Sequence, residues 1–233
     1  YRDFEVVVSD DASSDDTLKI IENFKNKVDF PVYIYKHKPS GIGANWNNTI
    51  KHANGEFIKF LFQDDVLEPT CLEKMLKILD NNPKVGLVAS KREFIIDKVN
   101  NEATQQWLAT YSDLQKHMLG KDGNRLLTKK IFKHKDFINT PKNKIGEPSV
   151  VMFRRSLVDK IGLFDENLKQ ILDYEYWYRI LKKHHIYIIN EALVKFRLHD
   201  LQATAVNSNK DISDYQLYPK ILYNDYFWLL NYK

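Results

Sequence analysis

Two adjacent carboxylates, Asp64 and Asp65, stand where an apolar run stops. The run Phe57 to Phe62 is broken only by Lys59 and reads as a strand buried on both faces, so the acids fall at its carboxyl end. Open α/β sheets place their ligands at that edge. Successive side chains of an extended strand point opposite ways, so both acids can meet one ligand only where the chain turns, and Val66 to Pro69 supplies a turn. Like charges this close repel, and a divalent cation is the simplest remedy. A solvated loop after a core strand is the other reading.

Further groups of this kind recur along the chain. Asp10 and Asp11 end a second apolar run, Phe4 to Val8, just before residues suited to start a helix. Such acids can accept hydrogen bonds from a nucleobase N–H or a ribose hydroxyl, or they can cap the helix; Asp15 and Asp16 read as caps. Asn45 and Asn47 follow Gly41 and Gly43 and could meet sugar hydroxyls or only shape the turn. Asp173 opens an amphipathic helix carrying Tyr174, Trp177, Tyr178 and Leu181, where a carboxylate is either a cap or a general base kept ionised by the helix dipole. Arg197 and His199 occupy alternate positions of a strand, share a face, and could both reach a diphosphate or a metal. Glu147, before Pro148, could touch a sugar but stays outside the site set, and His184 and His185 read as surface residues.

The elements that must position these groups alternate. Strands are expected at Phe4–Val8, Val32–Tyr35, Phe57–Phe62, Val85–Ala89, Ser149–Phe153, Ile186–Ile189 and Leu193–Leu198, with helices between them, including one from Thr70 to Asn81 stopped by Pro83. That order predicts an α/β domain with a mostly parallel central sheet flanked by helices. Between 91 and 146 the periodicity fades, which predicts an irregular, Lys-rich lobe over the sheet. A single catalytic domain is expected over 1–204, followed by an aromatic helical tail over 205–233 that packs on the body.

A net charge of +4 over 233 residues is too mild to imply nucleic acid. The segment Lys116–Lys135 holds seven Lys/Arg against the single acid Asp122, so one surface is basic, and peripheral contact with a membrane is left open. One cysteine, Cys71, argues against a disulfide framework and fits a cytoplasmic protein. No apolar run approaches the ~20 residues of a membrane span. The chain starts at Tyr1 and enters a strand almost at once, which suggests a fragment.

Together these segments resemble the family 2 glycosyltransferases, inverting enzymes of the GT-A fold that use nucleotide-sugar donors. Phe4 to Ser13 with Asp15-Asp16-Thr17 looks like the family's first nucleotide-binding turn; Gly43 to Asn47 with Ala53 to Ile58 looks like its approach to the metal strand. Phe62-Gln63-Asp64-Asp65 is similar to its Asp-x-Asp motif, and Gly162 to Glu166 followed by Leu172 to Trp177 to the segment with its catalytic carboxylate. The resemblance implies Asp11 as base reader, with Asp10, Asn45, Asn47, Asp64 and Arg197 also around the donor. It implies Mg²⁺ or Mn²⁺ held by Asp65 and His199, and Asp173 as general base. The implied acceptor is a saccharide or a lipid-linked glycan, used in the cytoplasm or at the inner face of the membrane. Gln63 replaces the motif's first acid, Leu172 stands where the family often has Glu, and Trp46 stands where many relatives carry Arg. The family's opening strand and helix have no counterpart, so a gap is expected beside the Phe4–Val8 strand. A metal-dependent phosphoryl-transfer or receiver-type domain, a nucleotidyltransferase and an inactive sugar-nucleotide binder are the alternatives.

Overall fold

The computed structural model describes residues 1–96, 102–116, 123–199 and 212–230. Strand β1 (Val6–Asp10) and strand β2 (Val32–Lys36) pair in parallel across helix α1 (Thr17–Lys25). Helix α2 (Ile42–His52) packs on β1 and leads into β3 (Phe57–Lys59). There follow β4 (Val66–Leu67), α3 (Cys71–Asn81), β5 (Val85–Ile96), α4 (Glu102–Tyr111), β6 (Arg125–Leu127), β7 (Val151–Arg154), α5 (Val158–Ile161), α6 (Leu172–Lys183), β8 (His185–Leu198) and α7 (Asp214–Tyr226).

The larger sheet runs β3-β7-β5-β8-β4, with β6 also on β8. Only β5 and β8 are parallel in it; β7 opposes both β3 and β5, and β4 and β6 oppose β8. The α/β class holds, but the sheet is mixed, not mostly parallel. A parallel neighbour needs a crossover that carries the chain back to its starting end. After β5 the chain instead comes back to β7 running the other way. Among the described residues no strand pairs with the outer edge of β3 or the second edge of β1, so the two sheets do not join, and the interruption falls beside the Phe4–Val8 segment. The two strands expected between Ile186 and Leu198 are one long β8, whose pairing with β5 shifts register around Ser90 to Arg92.

The apolar run that carries the paired acids leaves the sheet early. The strand ends at Lys59, whose ammonium is buried and donates to the carbonyls of Phe60, at 2.6 Å, and of Ser149. Burial lowers this lysine to about 8. Phe60 to Asp65 thus becomes a turn pinned from beneath.

Helix α6 is the centre of the core: Tyr176, Trp177, Tyr178, Ile180 and Leu181 are all buried, and the helix packs on β5 and β8. Its start is held by the C-terminal helix α7. Asp214 is fully buried, and one of its oxygens accepts from the N–H groups of Lys169 (2.8 Å), Gln170 (2.6 Å) and Ile171 (3.1 Å). Tyr218 meets Tyr174 edge-on at 5.4 Å and Tyr226 meets Phe132 at 5.2 Å, so the described part of the tail packs on the body as expected. Among the described residues no helix is long and apolar enough to cross a membrane.

Three donors on one buried carboxylate make Asp214 costly to remove. Asp214→Ala is expected to lose about 2–3 kcal/mol of stability in urea unfolding, because three buried N–H groups lose their acceptor. Asp214→Asn, which keeps an acceptor oxygen, should lose less. Equal losses would mean that the three hydrogen bonds contribute little.

Candidate active site

The first acidic turn divides its work. Asp10, the last residue of β1, is buried, and both its oxygens accept from the Ser13 N–H at 3.3 and 3.1 Å. It closes the turn. Asp11 is partly exposed; its Oδ1 accepts from the Ser40 N–H at 3.3 Å and lies 3.6 Å from His37 Nδ1. His37, which the sequence reading did not single out, also meets Asn45 Oδ1 through Nε2 at 3.0 Å and the Lys38 carbonyl through Nδ1 at 2.8 Å. The Asn45 contact, opposed by burial and supported by the Lys38 carbonyl and Asp11, raises the pKa of His37. Asp11, His37 and Asn45 thus join the first turn to α2.

Asn47 is not a donor contact here. It is 1% exposed, donates to the Phe164 carbonyl (2.9 Å) and Glu166 Oε1 (2.9 Å), and accepts from the Phe164 N–H (2.9 Å). Its amide has no capacity facing solvent, so it ties α2 to the turn before α6. Gly43 sits against the same turn: a Cβ there would lie 3.2 Å from Glu166 Cα and 3.2 Å from a methyl of Leu172. Trp46 is a core residue, stacked on Phe62 at 5.4 Å, so α2 also touches the turn with the paired acids.

At that turn Asp64, Asp65, Arg197 and His199 come together. Arg197 donates its backbone N–H to Asp65 Oδ1 at 3.1 Å and its Nε to the Asp64 carbonyl at 3.0 Å. His199 Nε2 lies 3.0 Å from Asp64 Oδ2. Asp65 is 8% exposed, and its Oδ2 is buried with no hydrogen-bond partner. Burial raises its pKa against the Ser149 hydroxyl and the Arg197 N–H, and the charges of Asp64 and Glu147 add to the rise. Among the described residues no three His, Cys, Asp or Glu side chains form a complete metal cage. The orphaned Asp65 oxygen, with Asp64 and His199 adjacent, fits a hard cation that takes one or two carboxylates and completes its shell with phosphate and water.

Asp173 lies in the first turn of α6, with Ile171 at the N-cap position. Its Oδ1 accepts from the Tyr174 N–H at 2.7 Å and its Oδ2 from Asn143 Nδ2 at 2.8 Å. Burial pushes the carboxyl up to about 8; the Tyr174 N–H and Asn143 oppose this, and the Glu147 charge adds to it.

One short segment, Asn143 to Ser149, joins these two centres. Asn143 holds Asp173 at one end, and at the other the Ser149 hydroxyl accepts from the Phe62 N–H at 3.1 Å beside Asp65. Between them Glu147 pairs at 3.2 Å with Arg92, a buried arginine, and its charge acts on both Asp65 and Asp173. The segment is itself fixed to α6: Trp177 Nε1 donates to the Gly146 carbonyl at 2.9 Å, and the Tyr178 hydroxyl bridges the Lys142 carbonyl (2.5 Å) and the Lys144 N–H (3.1 Å). Asn143 and Arg92 lie in or beside the region without periodicity, and only the isolated Glu147 before a proline signalled the segment.

Acids at strand ends, the partly exposed Asp11, and the carboxyls of Asp65 and Asp173 mark a candidate site on an α/β domain. The chain belongs to glycosyl transferase family 2, whose pattern it matches over residues 1–162. It is 27% identical over 211 residues to an uncharacterized glycosyltransferase of Rickettsia typhi, covering 90% of this chain and 59% of that protein. Over 81 residues it is 38% identical to the GalNAc(5)-diNAcBac-PP-undecaprenol beta-1,3-glucosyltransferase of Campylobacter jejuni, covering 33% of this chain and 25% of that one. The crystal structure of residues 1–349 of S. aureus TarS in complex with UDP-GlcNAc shares the fold, with a TM-score of 0.66 at 21% identity over 94% of this chain and 57% of that chain. The chain thus spans about three-fifths of the length of the Rickettsia relative.

The raised Asp173 has a measurable consequence. Its ordinary value is 3.8 and its folded value about 8, so the stability that its neutral form contributes is full below the lower value and is lost as pH rises through the upper. Asp173→Asn removes this dependence. Between about pH 5 and pH 9 the melting temperature of the wild type should fall relative to that of Asp173→Asn. Parallel curves would show that the carboxyl is not desolvated.

Proposed function

We propose that the chain carries the donor site and general base of an inverting glycosyltransferase, which moves a sugar from a nucleoside-diphosphate sugar to a hydroxyl of a saccharide or lipid-linked acceptor. The observation that supports it most is the Asn143–Ser149 segment, which meets Asp173 through Asn143 and the turn of Asp65 through Ser149. A displacement at an anomeric carbon needs a proton acceptor on one side and charge neutralisation on the other, and these two carboxyls offer that pairing.

In this reading Asp11 receives the base or ribose, and His37 and Asn45 hold its turn against α2. Mg²⁺ or Mn²⁺ would be held by Asp65, with Asp64 and His199 beside it, and supplies, when bound, charge neutralisation for the departing diphosphate. Arg197 keeps the acidic turn in place through its backbone and side chain. The acceptor oxygen attacks the anomeric carbon as the bond to the diphosphate oxygen breaks; the hydroxyl proton passes to Asp173, and the nucleoside diphosphate leaves with the bonding electrons. Asp173 must be ionised when the acceptor arrives, so turnover should rise with pH towards its folded value.

The substrate class rests on relatives. The Campylobacter protein's name specifies an undecaprenol diphosphate-linked glycan, and S. aureus TarS is named as a poly(ribitol-phosphate) beta-N-acetylglucosaminyltransferase. A lipid-linked acceptor would bring the domain to the inner face of the membrane. Phosphoryl-transfer and nucleotidyl-transfer readings leave Asp173 and the loop that holds it without a task.

UDP is expected to raise the melting temperature of the wild type in the presence of Mn²⁺ and not in EDTA. Asp65→Ala should lose most of that increment. Asp173→Asn should keep it while transfer or hydrolysis of UDP-GlcNAc falls by about 10²-fold or more, the low end of what general-base catalysis supplies. A metal-independent increment, or full turnover by Asp173→Asn, would remove the corresponding assignment.

A further inference from the structure

We propose that Asn143 is a positioning residue for the base: its amide N–H holds Asp173 in the orientation and charge state that accept the proton. The inference rests on the assignment of Asp173 above, but it comes from a separate set of contacts. Asn143 Oδ1 accepts from the backbone N–H groups of Ile145 (2.9 Å) and Gly146 (2.9 Å). Two main-chain donors on that oxygen exclude the flipped amide, so Nδ2 must face the other way. There it donates to the Gly146 carbonyl at 3.1 Å and to Asp173 Oδ2 at 2.8 Å. Among the described residues its amide is engaged at both ends, and its one hydrogen bond outside the loop goes to Asp173.

A donor in that place favours the carboxylate over the carboxylic acid, because an ionised carboxylate only accepts. The surroundings need such a donor. Asp173 faces the Glu147 carboxylate from the same loop, and the phenols of Tyr174 and Tyr178 stand within its field. From α7 Tyr218 lies next to Tyr174, with the Lys142 ammonium over its ring at 5.2 Å. Among the described residues, Asp173 accepts hydrogen bonds from the Tyr174 N–H and from Asn143. The loop also makes Asn143 the point where the lobe reaches the chemistry. Gln115, bonded to Lys91 at 2.9 Å, donates to the Lys144 carbonyl at 2.6 Å, and the Lys144 ammonium donates to the Asn139 carbonyl at 2.8 Å. No substitute backbone is available at Gly146, where φ is +139° and a Cβ would lie 2.3 Å from a Val150 methyl.

The test is a ¹³C-carboxyl NMR titration of the full chain, with the Asp173 signal assigned by its loss in Asp173→Asn. In Asn143→Ala the Asp173 midpoint should rise by at least about half a unit, a roughly threefold tighter proton. Asn143→Asp keeps the oxygen that holds Ile145 and Gly146, so it tests the contact even if the alanine variant fails to fold. There the two carboxyls would share a proton, and the upper midpoint of the pair should exceed that of Asn143→Ala. The acid limb of UDP-GlcNAc hydrolysis against pH should move in step, with the alkaline plateau retained, whereas a merely structural role would lower the rate at every pH. A midpoint that stays, falls or rises less overturns the inference. Turnover by Asp173→Asn equal to wild type would instead overturn the base, and the titration would still judge Asn143.

Discussion

A carboxylate withdrawn from water must meet donors or a cation, or else take up a proton. Much of this structure follows from that constraint. Asp10 takes the Ser13 N–H, Asp214 takes three backbone N–H groups, Glu147 takes Arg92, and Asp173 takes Tyr174 and Asn143. Asp65 is met by protein on one oxygen, which accepts from Arg197, while the other is buried without a partner. Buried oxygens of Asp214 and Glu147 are likewise without a hydrogen-bond partner, but Asp65 lies in the same turn as Asp64, whose carboxylate meets His199, and it is there that we propose a cation.

Around these acids the fold gathers many tethers. Lys59 pins the acidic turn from below, and Ser149 pins it from the side. Helix α6 carries Asp173 and, through Trp177 and Tyr178, holds the loop that restrains it. Helix α7 holds the start of α6 through Asp214. Helix α2 braces the first turn through Asn45, the turn before α6 through Asn47, and the acidic turn through Trp46. Elements far apart in sequence thus fix one another's ends.

Part of this was legible in the sequence. Acids at strand ends and helix starts are local signals, and together with the family resemblance they pointed to Asp11, Asp65, Asp173, Arg197 and His199 as candidates. Patterning also located the α3 and α6 helices to within a residue or two. The rest was not local. The direction of β7 depends on where the lobe returns the chain, which no periodicity records. The early end of β3 depends on Lys59 meeting carbonyls from β3's own exit and from Ser149. Asn47 looked like a donor contact because its partner, the Phe164–Glu166 turn, lies more than a hundred residues away. Asn143, Arg92 and His37 acquire meaning only from their neighbours in space.

The central claim is that Asp11, Asp65 and Asp173 serve a single ligand. A crystal structure of the chain with Mn²⁺ and UDP-GlcNAc tests it most directly. The account predicts the uracil or ribose against Asp11, the cation and diphosphate against Asp65, and the anomeric carbon facing Asp173. A donor seated away from Asp65, or one whose anomeric carbon points away from Asp173, would contradict it.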